Sequence, residues 1–159
     1  MKPPLAKQGA FVSSKPPIGY VDVRVFAHAT EDPEKVLDAM RNILPLELGK
    51  GVIFRKTLLT GHHGNSIVVF EKRLTDKKEL PLVLKRIGER LTVLDKEALA
   101  GDLSRHLERR DLYLRFDKQA AFQDKVRFSQ VDPVRFKIHF KSKSFEEIVE
   151  ICQKAGLLL

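Results

Sequence analysis

The segment 134–141 alternates strictly between apolar and basic residues. One side carries Val134, Phe136, Ile138 and Phe140, and the other carries Arg135, Lys137, His139 and Lys141. Because strand side chains point to opposite faces with period two, the pattern predicts a strand with one buried and one basic face. A face of one charge sign favours a polyanion such as nucleic acid. The alternative interpretation is an edge strand that is kept polar against aggregation.

Apolar periodicity in the rest of the chain predicts several further elements. Period-two runs predict strands at 20–29, 52–59, 66–74, 112–119 and 125–128. Helices are expected after Asp32-Pro33, from Leu80, from Asp95 as far as Leu107, and after the capping box that begins at Ser144. The last of these helices is expected to bury Phe145. The order lacks a steady βαβ alternation. The predicted fold class is therefore α+β, with a single mainly antiparallel sheet and helices packed on one face.

The domain organisation follows from length and local composition. Residues 1–18 are rich in Pro and Lys without periodicity, which predicts a flexible N-terminal arm. Such an arm is either a disordered start or a source of additional contacts to RNA. The remaining residues, 19–159, suffice for one core, so we expect a single α+β domain there.

The positive charge of the chain is concentrated in one region. The net charge is +8, and the segment 105–143 holds eleven basic and five acidic residues. Cys152 is the one cysteine, which excludes a disulfide or a thiolate metal cage within one chain. Neither a membrane-spanning apolar run nor the apolar region of a signal peptide is present, so we expect a soluble, cytoplasmic protein without a membrane partner.

Two more basic residues occur shortly before the basic strand. Lys125 and Arg127 are two positions apart in the predicted strand 125–128, and the short turn 130–133 would pair it with the strand that follows. Like charges directly opposite each other destabilise a sheet. A bound polyanion would offset that repulsion.

The adjacent histidines His62 and His63 lie in the glycine-flanked segment 61–65, which predicts a hairpin turn. Two neighbouring histidines on a turn rarely face one ion, and a catalytic zinc site needs three protein ligands. No HExxH, Walker or GxSxG motif is present. We therefore expect no catalytic residue, no metal and no cofactor, and interpret the turn, with Asn65, as a candidate contact to phosphate or a base edge.

The segment 115–121 offers a second group of polar candidates. If it continues the strand, Arg115, Asp117 and Gln119 share one face, while Lys118 and the two alanines that follow begin a turn. Lys and Gln side chains can donate to phosphate or to a base. The competing interpretation is a purely structural pair of Arg115 with Asp117.

Three of these segments together resemble a known family. The strings at 26–32 (FAHATED), 61–65 (GHHGN) and 112–121 (LYLRFDKQAA) are similar, in this order, to an archaeal family of predicted RNA-binding proteins. That family is commonly described as exosome-associated, because its genes neighbour exosome and RNase P components. Its fold is similar to that of the large-subunit ribosomal protein that binds 5S rRNA. This chain departs from the usual family pattern at Ser66 and Phe122, both of which follow predicted turns.

The residues and the resemblance together predict an RNA-binding protein that is not an enzyme. The resemblance implies a role in RNA processing or decay, with exosome or RNase P components as partners. The alternatives are a scaffold that docks an acidic protein and a histidine- or metal-dependent RNA-processing enzyme; monomer and dimer both stay open. The candidate RNA-binding residues are Arg115, Lys118, Gln119, Lys125, Arg127, Arg135, Lys137, His139, Lys141, His62, His63 and Asn65.

Overall fold

Strands and short helices follow one another in a computed structural model that describes residues 17–49, 51–142 and 144–159. The strands are β1 (Ile18–His28), β2 (Arg55–Thr60), β3 (Ser66–Leu74), β4 (Leu107–Glu108), β5 (Asp111–Phe116) and β6 (Val134–Phe140). The helices are α1 (Pro33–Ile43), α2 (Leu46–Gly49), α3 (Leu80–Arg90), α4 (Val93–Gly101), α5 (Leu103–His106), α6 (Lys118–Phe122) and α7 (Phe145–Ala155). Within the described ranges, no helix has the length and apolar character needed to cross a membrane.

Local sequence signals set the ends of the longer helices. The Asp32 side chain accepts a hydrogen bond from the Glu34 amide at the start of α1, and Ser144 accepts one from the Glu147 amide at the start of α7. Both caps occupy the free amides of a first helical turn. Gly156 ends α7 with φ of 86°, a left-handed conformation that favours glycine.

The strands form one antiparallel sheet in the order β2-β3-β1-β6-β5-β4. Strand β6 lies in its interior, because it pairs with β1 on one side and with β5 on the other. The edge-strand interpretation of the basic alternation is therefore wrong. A basic strand in the middle of a sheet requires another explanation for its charges.

The helices pack on one face of this sheet, as predicted. Val134, Phe136, Ile138 and Phe140 of β6 are fully buried in the resulting core. The predicted α+β class is thus confirmed, and so is the buried side of β6 that the alternation predicted. Burial raises the pKa of the Cys152 thiol to about 12, which makes this residue a core side chain and a poor nucleophile.

The segment 112–128 differs from its prediction in two respects. Strand β5 ends at Phe116, because Asp117 caps the short helix α6 through the Ala120 amide. Residues 125–128 form no strand and make a single bridge, from Phe128 to Phe116 of β5. Lys125 and Arg127 consequently do not lie alongside β6.

Three smaller expectations also need correction. The helix expected from Asp95 as far as Leu107 is interrupted at Asp102, so that α4 and α5 are separate and Leu107 belongs to β4. Phe145 is 48% exposed rather than buried. Strand β2 begins at Arg55, three residues later than predicted. Residues 1–16 of the predicted arm lie outside the described residues, so the role of the arm stays a prediction.

Candidate nucleic-acid interface

The sheet face opposite the helices, called the open face below, carries the polar half of each strand's alternation. Along β1 from Tyr20 onward, and along β6, every second residue is buried and the intervening residues are partly exposed. The open face includes Tyr20, Asp22, Arg24, Phe26 and His28 of β1, Arg135, Lys137 and His139 of β6, Asp111, Tyr113 and Arg115 of β5, Glu71 and Arg73 of β3, and Arg55 of β2.

Strand register brings three arginines of the open face side by side. Arg24 of β1 lies directly opposite Arg135 of β6, and Arg135 lies directly opposite Arg115 of β5. These three residues, called the arginine row below, cross the sheet perpendicular to its strands. On the other side of Arg24, the residue directly opposite it is Glu71 of β3, and Arg55 of β2 lies opposite Glu71.

The arginine row keeps its charge among the described residues, since Glu71, which lies opposite Arg24, forms its salt bridge with Arg55. Among the described residues, none of its three guanidinium groups has a carboxylate within salt-bridge distance. The Nε of Arg135 is buried, and no described group hydrogen-bonds to it. Partial burial, and then the charges of Arg24 and Arg115, lower the pKa of Arg135. Such an arrangement stores repulsion that an anion would relieve.

Aromatic rings support the arginine row from both sides. The guanidinium carbon of Arg24 lies 5.4 Å from the ring centre of Phe26. Those of Arg115 and Arg135 lie 5.5 and 5.6 Å from the ring centre of Tyr113. Cation–π contacts of this kind stabilise a cation without consuming its hydrogen-bond donors.

The other cations of the open face are paired with acids. Arg73 makes a two-pronged hydrogen bond to Asp22, at 2.8 and 2.9 Å, which raises its pKa above the usual value. Arg55 lies 3.2 Å from Glu71. These pairs leave the arginine row as the concentration of unneutralised charge on this face.

Lys137 and His139 of β6 share a third carboxylate, Asp111. The Lys137 Nζ lies 3.8 Å from it; burial alone would lower the pKa of Lys137, but Asp111 and a hydrogen bond with Tyr20 outweigh burial and raise it. The His139 Nδ1 lies 2.6 Å from the same carboxylate, and its ring stacks on Tyr20 with centres 4.6 Å apart. Two of the predicted RNA contacts on β6 therefore already have partners.

A concavity of about 580 Å³ opens beside the arginine row. Arg24, Arg135, Arg55 and Arg73 contribute to its lining. Ile53 and Phe54, which precede β2, form an apolar wall of the concavity, and Ile53 is 81% exposed. A volume of this size suits a small organic group such as a nucleotide.

The structure joins two of the sequence strings through Lys118. Its Nζ donates to the Phe26 carbonyl at 2.8 Å and to Glu31 at 2.9 Å, and it lies 2.6 Å from Asp132. The His28 Nε2 lies 3.0 Å from the same Asp132. Because the Lys118 side chain is only 10% exposed, it is held inside this network rather than presented to a ligand.

The same network contains the one potential metal cluster found in the described ranges. His28, Glu31 and Asp132 can each direct one ligand atom to a common point. However, the Lys118 ammonium already binds both carboxylates. A lysine in this position supplies the positive charge that a metal ion would otherwise supply, so these residues fit an ion poorly.

The remaining predicted residues surround the open face without joining the row. His62, His63 and Asn65 are exposed in the turn between β2 and β3, where Gly64 has φ of 80°. Gln119, Lys125, Arg127 and Lys141 are also exposed. Arg24, Tyr20 and Tyr113 were not among the residues predicted from the sequence to bind RNA. The alternation of β1, which buries Val21, Val23 and Val25, was the available signal for the first two.

Comparison with known proteins identifies relatives of this chain. Residues 20–140 match a family model that is described as RNA binding. A protein of Pyrococcus abyssi, RNA-binding protein PAB1135, is 32% identical over 137 residues, which cover 85% of this chain and 88% of the relative.

Solved structures of similar proteins share the fold. Protein AF2318 from Archaeoglobus fulgidus has a TM-score of 0.72 at 28% identity, covering 87% of this chain and 99% of that one. Mth689, a DUF54 protein from Methanothermobacter thermautotrophicus, has a TM-score of 0.70 at 25% identity, covering 90% and 99%.

Proposed function

Since this chain belongs to an archaeal family of RNA-binding proteins, we propose that it holds RNA on the open face and serves as an accessory factor in RNA processing or decay. The arginine row is the main reason to place the RNA on this face. Holding three guanidinium groups side by side costs free energy in the free protein, because no described carboxylate pairs with them. A phosphate backbone supplies the missing negative charge and accepts hydrogen bonds from each arginine.

The predicted RNA-binding residues take different roles in this proposal. Arg115 and Arg135 contact phosphate directly, together with Arg24. The exposed group (Gln119, Lys125, Arg127, Lys141, His62, His63 and Asn65) surrounds this centre and adds weaker contacts, whereas Lys137 is paired with Asp111 and contacts no phosphate. Lys118 and His139 act as positioning residues, because their polar atoms already bind Glu31 and Asp111.

The finer parts of the proposal rest on the family resemblance. It implies a factor that works beside exosome or RNase P components. The cytoplasmic location and the lack of catalytic activity, which were predicted from the sequence itself, stay predictions. The likeness to the 5S-rRNA-binding ribosomal protein also stays a prediction. Crosslinking the protein to RNA in its own cells, followed by sequencing, tests the cellular role: enrichment of processing intermediates supports it, and a random sample of transcripts contradicts it.

Charge reversal at the centre of the row tests the location. In the variant Arg135→Glu, the new carboxylate would lie between Arg24 and Arg115, so the fold should be at least as stable as before. We expect RNA binding in a filter assay to be almost abolished. The matched control is Lys154→Glu, which changes the net charge equally on the exposed surface of α7. Equal RNA affinity of the two variants would place the binding surface elsewhere.

A scaffold that docks an acidic protein would use the same charges. The two possibilities differ in the ligand that wild type binds: the proposed function requires measurable affinity for RNA, and the scaffold requires affinity for an acidic protein. Binding of such a partner by wild type, with no measurable affinity for RNA, would favour the scaffold.

A further inference from the structure

We propose that RNA crosses the sheet as a single strand whose phosphates follow the arginine row, perpendicular to the β-strands, rather than running lengthwise along β6. This inference rests on the proposed function and specifies the path and the class of RNA. The alternation at 134–141 considered alone indicates a lengthwise path, and the tertiary structure changes that interpretation.

Free positive charge lies across the strands of the open face rather than along β6. Along β6, Arg135 is followed by Lys137 and His139, which share the carboxylate of Asp111. An RNA backbone that runs along β6 would therefore contact the free charge of Arg135 and then meet the carboxylate of Asp111. Across the sheet, Arg24 and Arg115 flank Arg135 on both sides without an intervening acid.

The crosswise track has the length of a small binding surface. Adjacent strands lie ~4.8 Å apart, so the arginine row, which spans two strand spacings, extends over roughly 10 Å. Beyond Arg24 the next strand places Glu71, which is paired with Arg55, so the free charge ends at Arg24. A track of this length contacts a few nucleotides, which is typical of one binding surface on a small domain.

Aromatic side chains beside the arginine row offer surfaces for unpaired bases. Phe26 and Tyr113 lie beside the row, and both side chains are partly exposed. Aromatic faces next to a positive track suit the unpaired bases of a single strand, whereas a duplex keeps its bases stacked inside. The concavity walled by Ile53 and Phe54 lies at the β2 side of the row and can receive one base or sugar of the same strand.

Paired and unpaired cations of the same face provide the test. Arg24→Gln and Arg115→Gln remove row residues, and Lys137→Gln and Arg73→Gln remove cations that the structure pairs with Asp111 and Asp22. Each variant is titrated against a fluorescein-labelled single-stranded RNA of about ten nucleotides and against its duplex, at several salt concentrations.

We expect each row variant to make the log–log salt slope for the single strand shallower by about 0.7, which is roughly a fivefold loss of affinity at 0.1 M relative to 1 M salt. The two control variants should keep the wild-type slope, and the duplex should bind more weakly than the single strand. Arg24→Lys should recover most of the slope, which excludes loss of folding as the cause.

Two results would overturn the inference while leaving the proposed function intact. If Lys137→Gln reduces the slope as much as Arg24→Gln does, the RNA runs along β6. If the duplex binds more tightly than the single strand, the class of RNA is wrong. The proposed function itself fails under a different result, in which wild type binds RNA and neither the row variants nor Arg135→Glu changes that binding.

Discussion

The ammonium nitrogen of Lys118 lies 2.9 Å from Oε1 of Glu31, although 87 residues separate the two in sequence. The same ammonium binds Asp132 and the Phe26 carbonyl, so that α6, the connection between β1 and α1, and the segment before β6 meet at one lysine. Asp132 occupies φ of 46°, an uncommon conformation for a residue other than glycine. This network fixes the end of the sheet at which β1 finishes.

Replacing Lys118 by Met should destabilise the protein. The substitution leaves the carboxylates of Glu31 and Asp132 close together without their shared cation. Loss of one partner from a fully buried pair costs about 3–5 kcal/mol; we expect about 2 kcal/mol here, because both carboxylates are about one-third exposed. Urea unfolding measures the change. Lys154→Met, at an exposed pair on α7, should leave the unfolding midpoint unchanged, and an equal loss in both variants would contradict the role of the network.

The same network predicts a dependence of stability on pH. Partial burial would raise the pKa of Asp132, but the hydrogen bonds from Lys118 and His28 outweigh it and lower the pKa below the usual 3.8. A lowered folded-state pKa stabilises the protein above the unfolded-state value, and this contribution is lost as the pH falls through 3.8 and then through the folded-state value.

The variant Asp132→Asn should therefore be less stable than wild type at neutral pH but lose less free energy of unfolding on acidification. Asn also tolerates the positive φ of this position, so the backbone is preserved. Urea titrations at a series of pH values between neutral and strongly acidic give the comparison. If the free energy of unfolding decreases equally in the two proteins on acidification, other carboxylates determine the acid sensitivity.

Gly88→Ala should destabilise the protein despite the higher helix propensity of alanine. A Cβ at this position of α3 would lie 2.7 Å from the Gly156 carbonyl oxygen and 2.9 Å from that of Ala155, both of which are backbone atoms at the end of α7. We expect a net loss of about 1–3 kcal/mol in urea unfolding. Gly101→Ala is the matched control: its Cβ would enter open space, so it should be neutral or stabilise by up to ~1 kcal/mol.

The double variant His62→Ala/His63→Ala should remain folded and weaken RNA binding only modestly. Both side chains are exposed in the turn between β2 and β3, away from the arginine row. Circular dichroism and the filter assay used for Arg135→Glu measure the two properties. Stoichiometric zinc in purified wild type, absent from this variant, would contradict the expectation that the pair binds no metal.

Local patterns in the sequence were sufficient for most of the secondary structure. The alternation at 134–141 predicts both the strand and its buried side, because burial on one sheet face requires period two. Asp32 and Ser144 mark helix starts for an equally local reason, since a side-chain oxygen reaches an amide two or three residues later. The hairpin turn at 61–65 likewise connects strands that are neighbours in sequence.

The segment 112–121 shows where local reasoning was incomplete. Its apolar alternation continues through Phe116, and the sequence analysis extended it to Gln119. Asp117 instead caps a short helix, and this helix brings Lys118 to Glu31 and Asp132. The cap is a local signal that the alternation concealed, whereas the partners of Lys118 come from distant parts of the chain.

Local patterns were enough to predict an α+β fold whose sheet has a buried side and a basic side. The grouping of the charges depends on the fold, because Arg24 meets Arg135 and Arg115 through pairings between strands that are far apart in the chain. Strand order and register depend on non-local hydrogen bonds and on the packing of the whole core, so a pattern within one segment carries no information about its neighbours in the sheet. The pattern of β6 therefore predicts a line of charge along one strand, whereas in the folded protein the free charge lies across the three strands β1, β6 and β5.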